Sequence, residues 1–206
     1  MKIWTSARTP RSVWVAACTA WLLAFAAQAH DGKDHGGAWP GTNDYQRSVR
    51  PYPIPDVVLT DADAQPVRLR DLLATTDPVM MNFIFTTCSA TCPVMVRVFA
   101  DIPARLGAQA KNLRLISISI DPDNDTPAQL KSYAKSIDAG ENWKFLTGRV
   151  QDVRAVQIAF NSYRGDKMNH EPLTLMRSSQ GKPWTRIDGF ANPDDLVREY
   201  RRIVAK

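Results

Sequence analysis

The chain is poor in cysteine, with three among its 206 residues, and this excludes a small scaffold held together by many disulfides. It has no glycine-rich phosphate loop and no Gly-x-Ser-x-Gly turn, so nothing supports a nucleotide-binding or serine-hydrolase function. A basic cluster on the folded domain is also missing, which argues against nucleic-acid binding despite the net charge of +5. With 44% apolar and 23% charged residues, the chain has the composition of a globular protein of one domain.

Residues 1–29 have the pattern of a secretory signal peptide. Three basic residues precede residue 12, an apolar stretch spans 13–27, and Ala27 and Ala29 form a small-x-small cleavage site, so we expect the mature chain to begin at His30. The alternative is an uncleaved anchor in the inner membrane, because the apolar stretch is at the lower length limit for a membrane span. Export would place the protein in an oxidising compartment, most simply a bacterial periplasm.

The mature chain divides into an arm and one domain. Residues 30–55 are rich in glycine, proline, aspartate and histidine and have little hydrophobic periodicity, so they are predicted to be a flexible N-terminal arm. Two of the three histidines lie in its HDGKDH segment, which we interpret as a solvated tail because no ligand framework accompanies them. Residues 56–206 form the domain, with no internal repeat.

Hydrophobic periodicity in the domain predicts alternating strands and helices. Residues 79–85 are an almost continuous apolar run, typical of a central strand buried on both faces. Thr126, followed by proline and then by glutamine at 129, is a helix start signal, whereas Pro103 is expected to kink or split the preceding helix. The predicted elements are a hairpin around 61–65, strands at 79–85, 113–120 and 143–148, helices beginning near 91, 126, 152 and 192, and a hairpin of 173–177 with 184–188. This order predicts a mixed sheet covered by helices.

Cys88 and Cys92 are the two cysteines of the mature chain, in the segment FTTCSATCPVM between a predicted strand and a predicted helix. Residues four apart share one face of a helix, and a helix N-terminus favours the thiolate, which is a good nucleophile and ligand. Two thiolates are soft donors that suit Cu(I), or zinc when further ligands join. The alternatives are two buried apolar cysteines or a plain structural disulfide.

His170 is the one histidine outside the arm, in the segment GDKMNHEPLTLM. It lies just before a predicted strand, in a loop that could face the start of the cysteine helix. Cu(I) is satisfied by three donors, so one imidazole would complete a site with two thiolates. Without such partners, a lone histidine is more often a surface or hydrogen-bonded residue. Met95 and Met168 offer thioethers as auxiliary soft donors, although Met95 fits the core of the cysteine helix.

Four segments of the domain, in order along the chain, together resemble the Sco/SenC/PrrC family of thioredoxin-fold copper proteins. FIFTTCSATCP resembles the family's Cys-x-x-x-Cys-Pro loop, SISIDPDNDTPAQLKSYA its Asp-Pro-x-x-Asp-Thr-Pro segment, and WKFLTG its Leu-Thr-Gly turn. The stretch around His170 and the strand and glycine turn that follow it resemble the distal histidine region. The resemblance covers about residues 55–204. It implies an α/β, thioredoxin-like fold in which helices flank a central mixed sheet, with an N-terminal hairpin extension.

The resemblance also implies a function, a copper(I)-binding metallochaperone that ligates copper through Cys88, Cys92 and His170, with Cu(II) binding left open. Such a protein would assist assembly of the binuclear copper site of cytochrome c oxidase, by delivering copper or by reducing the site's cysteines. The implied partners are the copper-site subunit of that oxidase or another cuproprotein, and other copper chaperones or thiol reductants, with the protein itself a monomer. The alternative is an enzyme, a periplasmic thiol-disulfide oxidoreductase in which Cys88 attacks and Cys92 resolves the mixed disulfide.

Five further positions carry their own expectations. Asp121 and Asp125 fall at a strand end near the cysteines, where they either meet a partner or form a turn and a helix cap. Ser89 stands where the family often has proline. Asn169 stands where the family usually has aspartate, which orients a neighbouring imidazole better than an amide does. The bond before Pro172 resembles the cis-proline bond of thioredoxins, and the prediction is that it is cis.

Overall fold

The computed structural model describes residues 45–205 together with Met1, so the leader and the arm up to residue 44 lie outside the described residues. The strands are β1 (Gln46–Arg50), β2 (Val58–Asp61), β3 (Pro66–Arg68), β4 (Val79–Ile84), β5 (Arg114–Ser119), β6 (Trp143–Thr147), β7 (Leu173–Arg177) and β8 (Trp184–Asp188). The helices are α1 (Leu69–Leu73), α2 (Thr91–Leu106), α3 (Pro127–Ser136), α4 (Val150–Ala159) and α5 (Pro193–Val204), with short 3-10 segments at Gly107–Asn112 and Lys167–Asn169. Among these described helices, none has the length and apolar character needed to cross a membrane.

The strands form one mixed sheet in the order β1-β8-β7-β4-β5-β6-β2-β3. The central strand β4 is parallel to β5 and antiparallel to β7, and all six of its residues are buried, as the apolar run predicts. The register places Ile84 opposite Ser119 of β5 and Asn82 opposite Thr174 of β7. The C-terminal end of β4, which leads to the cysteines, therefore lies beside the N-terminal end of β7, which follows His170.

Helices cover both faces of this sheet. Successive residues of β4 point to opposite faces, and all of them are buried, so β4 contributes to a core on each side. On one face the core includes Phe99 of α2 and Leu196 of α5. On the other face it includes Phe83 of β4 and Val156 of α4. Each large apolar side chain buried in this way contributes about 1.5–3 kcal/mol. The first of these cores holds α2 against the sheet. The predicted thioredoxin-like fold class, a mixed sheet between helices, is confirmed.

Local signals placed most helix ends and turns correctly. The hydroxyl of Thr126 accepts the N–H of Gln129 at 3.3 Å at the start of α3, as the capping pattern predicts. Helix α2, in contrast, is not split at Pro103 but continues to Leu106. A proline so close to the end of a helix removes one backbone hydrogen bond, and the packing of α2 against α5 maintains the helix there.

Residues 46–50 belong to the sheet rather than to the arm in which their composition places them. They form β1, which pairs antiparallel with β8 from Gln46 opposite Asp188 onward. Most of its side chains are exposed, so the strand lacks the hydrophobic alternation by which a strand is identified in a sequence. Arg47 fixes its position further, because Nε lies 2.7 Å from Oε2 of Glu199, a side chain of α5 that is only 2% exposed.

The peptide bond before Pro172 differs from the prediction. No cis peptide bond occurs among the described residues, so this bond is trans and the prediction is wrong. The trans form is the ordinary preference of a bond before proline. The carbonyl of Pro172 accepts the N–H of Gly189 at 2.9 Å, which joins the start of β7 to the turn after β8.

Candidate metal centre

Cys88 and Cys92 lie where the chain passes from β4 into α2. The N–H of Cys88 donates to the carbonyl of Phe85 at 3.1 Å, so the chain turns at once after the strand. The N–H of Cys92 then donates to Sγ of Cys88 at 3.3 Å. Ala90, at the cap position of α2, has no side-chain acceptor, so the Cys88 sulfur satisfies a helix N–H that a capping side chain would otherwise accept. Both cysteines are free thiols, Cys88 partly exposed and Cys92 buried.

The two thiols differ in acidity. Burial on its own would raise the pKa of Cys88, but hydrogen bonds from the backbone and thiol of Cys92 and from the backbone of Ala90 and Thr91 outweigh it, so this pKa lies below its ordinary value. Burial raises the pKa of Cys92 to about 12, and the Cys88 sulfur and the Asp125 carboxylate add to the rise. Cys88 is therefore the thiol that ionises first, at a helix N-terminus that favours its anion.

A buried carboxylate holds the start of the cysteine loop. Asp125 is 0% exposed, and it accepts the hydroxyl of Thr86 at 2.5 Å, the N–H of Thr86 at 3.1 Å and the hydroxyl of Ser119 at 2.6 Å. Because Thr86 precedes Cys88 by two residues, these bonds fasten the loop to the end of β5. Of the two interpretations that the sequence leaves for Asp125, the internal structural one fits this burial.

Asp121 fastens the histidine segment to the same edge of the sheet. The Nζ atom of Lys167 lies 2.5 Å from Oδ2 of Asp121 and 5.6 Å from the centre of the Phe85 ring. Asn124 donates to the same carboxylate at 2.9 Å and closes the turn after β5. Lys167 opens the 3-10 segment that immediately precedes His170, so the ion pair joins this segment to the turn after β5. Asp121 is 7% exposed and likewise binds within the chain.

His170 faces the backbone of the central strand. Its Nε2 atom lies 3.0 Å from the carbonyl oxygen of Phe83, and because a carbonyl only accepts, Nε2 carries the proton and donates. Burial lowers the pKa of His170, so the ring is neutral near pH 7. In this tautomer the lone pair is on Nδ1. A histidine whose second ring nitrogen donates to a carbonyl is the arrangement that orients an imidazole for binding a metal.

The structure brings the two cysteines together but does not place His170 beside them as a third ligand. In the stretch 45–205, no group of three or more His, Cys, Asp or Glu side chains is arranged to hold a metal ion. His170 instead lines a cavity of about 140 Å³ whose lining includes Asp121 and Lys167 but neither cysteine. Among the described residues the three predicted ligands are therefore not assembled around one point.

The structure also shows where the two methionines with soft thioether donors lie, and where the two residues that depart from the family pattern lie. Met95 is 3% exposed and belongs to the core, whereas Met168 is 73% exposed on the 3-10 segment before His170. Ser89 and Asn169 are both exposed. Because Asn169 is exposed, the group that orients the imidazole is the carbonyl of Phe83. A backbone carbonyl cannot be recognised from a pattern of side chains.

Thr86 and Lys167 are site residues that sequence reasoning did not identify. Thr86 holds Asp125 and Lys167 holds Asp121, in each case across more than 35 positions of the chain. Thr86 lies in the segment FIFTTCSATCP and Lys167 in GDKMNHEPLTLM, but neither stands at one of the positions that the family pattern names. The sequence offers one signal for them, the two aspartates at a strand end. The partners of these aspartates become known only when the order of the strands in the sheet is known.

A mixed sheet between helices, with a Cys-x-x-x-Cys pair at the turn from the central strand into a helix, defines a dithiol protein of the thioredoxin-like class. The family model SCO1/SenC matches residues 53–205, and the chain belongs to this family.

Individual relatives agree with this assignment. The chain is 29% identical over 161 residues to the SCO1 protein homolog of Bacillus subtilis, covering 73% of this chain and 82% of that protein. It also resembles the solved structure of BsSco, a member of the Sco family of cytochrome c oxidase assembly proteins described with a disulfide switch, with a TM-score of 0.64, 27% identity, and coverage of 77% and 96%. Bradyrhizobium japonicum ScoI, solved with copper bound, has a TM-score of 0.59 at 23% identity, with coverage of 71% and 96%, and supports the fold.

Proposed function

We propose that the protein is a copper(I) metallochaperone that binds its cargo through Cys88, Cys92 and His170 and assists assembly of the binuclear copper site of cytochrome c oxidase. The observation that carries the proposal is the sulfur pair at the N-terminus of α2, where the N–H of Cys92 donates to the Cys88 sulfur at 3.3 Å. Two adjacent soft sulfur donors fit Cu(I) better than they fit harder cations. The role in oxidase assembly rests on family membership and on the description of BsSco.

The third ligand would come from the segment that carries His170. The donor bond from Nε2 to Phe83 leaves the lone pair of Nδ1 for copper, and the cavity beside the ring leaves space for it to turn. Two thiolates alone give Cu(I) a two-coordinate site, and the imidazole adds the third donor that Cu(I) accepts. Loading would therefore bring Nδ1 of His170 and the two sulfurs to one Cu(I), with Nε2 still bonded to the carbonyl of Phe83.

An anaerobic competition between the reduced protein and a chromogenic Cu(I) chelator tests the copper site. We expect one Cu(I) per chain to be held against the chelator, with complete loss in Cys88→Ser. His170→Ala should weaken binding by about tenfold or more, as expected when a ligand is removed, while thiol exchange stays largely intact. Ser89→Ala, a change at an exposed position of the same loop, is the matched control. If His170→Ala binds as tightly as wild type, the three-ligand site is wrong.

Thiol-disulfide exchange is a second candidate function, favoured by the contrast between the two cysteines. Cys88 is partly exposed with a lowered pKa, and Cys92 is buried with a raised pKa, which is the division expected of an attacking and a resolving thiol. Maturation of an oxidase copper site can require both activities. A Cys88–Cys92 disulfide with a potential in the range of known exchange catalysts would support this function, and one that glutathione cannot reduce would contradict it.

Export to the periplasm completes the proposal. It rests on the signal-peptide pattern of residues 1–29, with an inner-membrane anchor facing the periplasm as the alternative. Fractionation of the cells followed by N-terminal sequencing distinguishes the two. A periplasmic chain that begins at His30 indicates cleavage, and a membrane-bound chain that retains the leader indicates an anchor.

A further inference from the structure

Two large apolar side chains are exposed near the candidate metal centre, on separate segments of the chain. Met168, on the 3-10 segment before His170, is 73% exposed, and Phe190, in the loop between β8 and α5, is 40% exposed. Apolar residues scattered singly over a surface are ordinary, whereas apolar residues gathered around a functional site mark a place of contact with another molecule. The positions of these two side chains relative to Cys88 therefore decide what they do.

Phe190 lies near the border of the sheet from which the cysteine loop leaves. The C-terminal end of β4 is beside the N-terminal end of β7, which pairs in turn with the C-terminal end of β8. Neighbouring strands are about 4.8 Å apart, so β8 ends about 10 Å from the end of β4. The N–H of Gly189 donates to the carbonyl of Pro172 at 2.9 Å, and Ala191 is buried in the same core as Cys92. These two contacts fix the loop on both sides of Phe190.

Met168 belongs to a segment that contacts the start of the cysteine loop. Nζ of Lys167, the preceding residue, lies 5.6 Å from the centre of the Phe85 ring, and the carbonyl of Phe85 accepts the N–H of Cys88 at 3.1 Å. The same lysine is bound to the turn after β5, whereas Phe190 follows β8. Because β4 lies between β5 and β8 in the sheet, the two exposed side chains come from segments attached on either side of the strand that leads to Cys88.

The charged side chains of the histidine segment are occupied within the chain. Nε of Arg164 lies 2.9 Å from a carboxylate oxygen of Glu171, and Lys167 is paired with Asp121. The carboxylate of Asp166 accepts the N–H two residues later at 2.8 Å. A protein that approaches this border therefore meets apolar side chains and charges that already have partners. It gains more from apolar contact than from charge attraction.

We propose that Met168 and Phe190 form a docking surface for the protein that receives the copper, and that this protein presents its acceptor thiols on an apolar loop. The inference rests on the proposed function. Cu(I) keeps its oxidation state in such a transfer, because a bond to a recipient sulfur forms as the bond to Cys88 breaks. The recipient must therefore contact the surface around Cys88. Phenylalanine and methionine are enriched at protein interfaces, and the flexible methionine adapts to the shape of its partner.

A pair of synthetic peptides tests this surface. Each contains one cysteine joined to 2-thiopyridine in a disulfide, flanked by leucine and valine in one peptide and by serine and glutamine in the other. Cys88 of the reduced, metal-free protein attacks the peptide sulfur, so that a protein–peptide disulfide forms, the peptide–pyridine disulfide breaks, and pyridine-2-thione leaves with the proton. After division by the rate of each peptide with 2-mercaptoethanol, we expect the apolar peptide to react about fivefold faster, because only it buries apolar surface against the protein.

Matched serine variants locate the preference on the protein. Met168→Ser and Phe190→Ser should each reduce it by about half or more, and the double variant should abolish it, because apolar contact area is lost. Val58→Ser and Ile158→Ser are the controls, since these side chains are exposed to 49% and 59% but lie on β2 and α4. The preference is a ratio of two rates in one variant, so a change in the reactivity of the thiol itself cancels.

Three results would overturn the inference: equal rates for the two peptides with wild type, a preference that survives in the double variant, or an equal loss in the control variants. The chelator competition for Cu(I) tests the underlying function separately. A wild-type chain that holds Cu(I) but has no peptide preference overturns the docking surface and leaves the copper site. A chain that prefers the apolar peptide but holds no Cu(I) overturns the copper role, and the surface is then that of a thiol-exchange protein.

Discussion

Lys167 and Asp121 form an ion pair of 2.5 Å that joins the segment before His170 to the end of β5. The carboxylate is buried, the ammonium is partly exposed, and the lysine also lies 5.6 Å from the ring of Phe85. The pair therefore connects the segment that carries His170 to the turn after β5, and the contact with Phe85 reaches the chain that leads from β4 to the cysteines. It also holds the histidine segment in the position in which His170 donates to the carbonyl of Phe83.

Removal of this ion pair should loosen the histidine segment selectively. In Lys167→Met, we expect faster amide hydrogen exchange at residues 167–170 and unchanged protection in β4 and β5, because the strands do not depend on the lysine. Lys135→Met, on the exposed face of α3, is the control and should leave the pattern unchanged. Equal exchange at 167–170 in both variants would contradict the anchoring role.

The two cysteines should react with iodoacetamide at very different rates. The lowered pKa and partial exposure of Cys88 favour its thiolate, and burial with a pKa of about 12 keeps Cys92 a thiol. At pH 7.5, Cys92→Ser, which retains Cys88, should be alkylated at least about tenfold faster than Cys88→Ser, because only the thiolate attacks. Similar rates in native protein, measured by intact mass, would refute the assignment. The same variants in urea should converge.

The metal-free, reduced protein should lose stability as the pH falls, because of His170. Burial lowers its pKa in the folded state, whereas the unfolded chain titrates near the ordinary value of about 6.5. Below about pH 6.5 the unfolded chain therefore binds more protons, and the free energy of unfolding falls. His170→Gln keeps a donor for Phe83 and cannot titrate. Urea unfolding from pH 7.5 to 5 should show wild type losing stability relative to this variant, and parallel curves would be contrary evidence.

A carboxylate at position 169 should make little difference to copper binding. Asn169 is exposed, and the carbonyl of Phe83 already orients the neighbouring ring. We expect Asn169→Asp to change the Cu(I) affinity by less than about threefold, well below the 10- to 100-fold effect of a residue that positions a ligand. An affinity tighter by tenfold or more in the chelator competition would mean that the family's aspartate acts in a way that Phe83 does not replace.

The sequence is sufficient to predict those elements whose signal lies in a few neighbouring residues. The apolar run of β4, the cap at Thr126 and the two hairpins follow from short-range rules, and the structure confirms each of them. The thioredoxin-like fold followed from the resemblance, whose four segments occur in the right order. The placement of the cysteines at a strand-to-helix turn is confirmed as well.

The remaining features depend on contacts between distant parts of the chain. Strand β1 exists because β8 and Glu199 hold it, and its exposed side chains give no periodic pattern. The orientation of His170 depends on a backbone carbonyl, which every residue has, so no residue type indicates it. The connection between Lys167 and Asp121 spans 46 positions and appears only after folding.

The two outer strands of the sheet have a consequence for how copies of this protein meet. β1 carries arginine at positions 47 and 50, and β3 begins with Pro66 and ends with Arg68. Short strands bearing charge or proline are poor templates for another chain, because an incoming strand would bury a cation or lose a backbone donor. Among the described residues, both borders of the sheet are therefore poor sites for edge-to-edge aggregation.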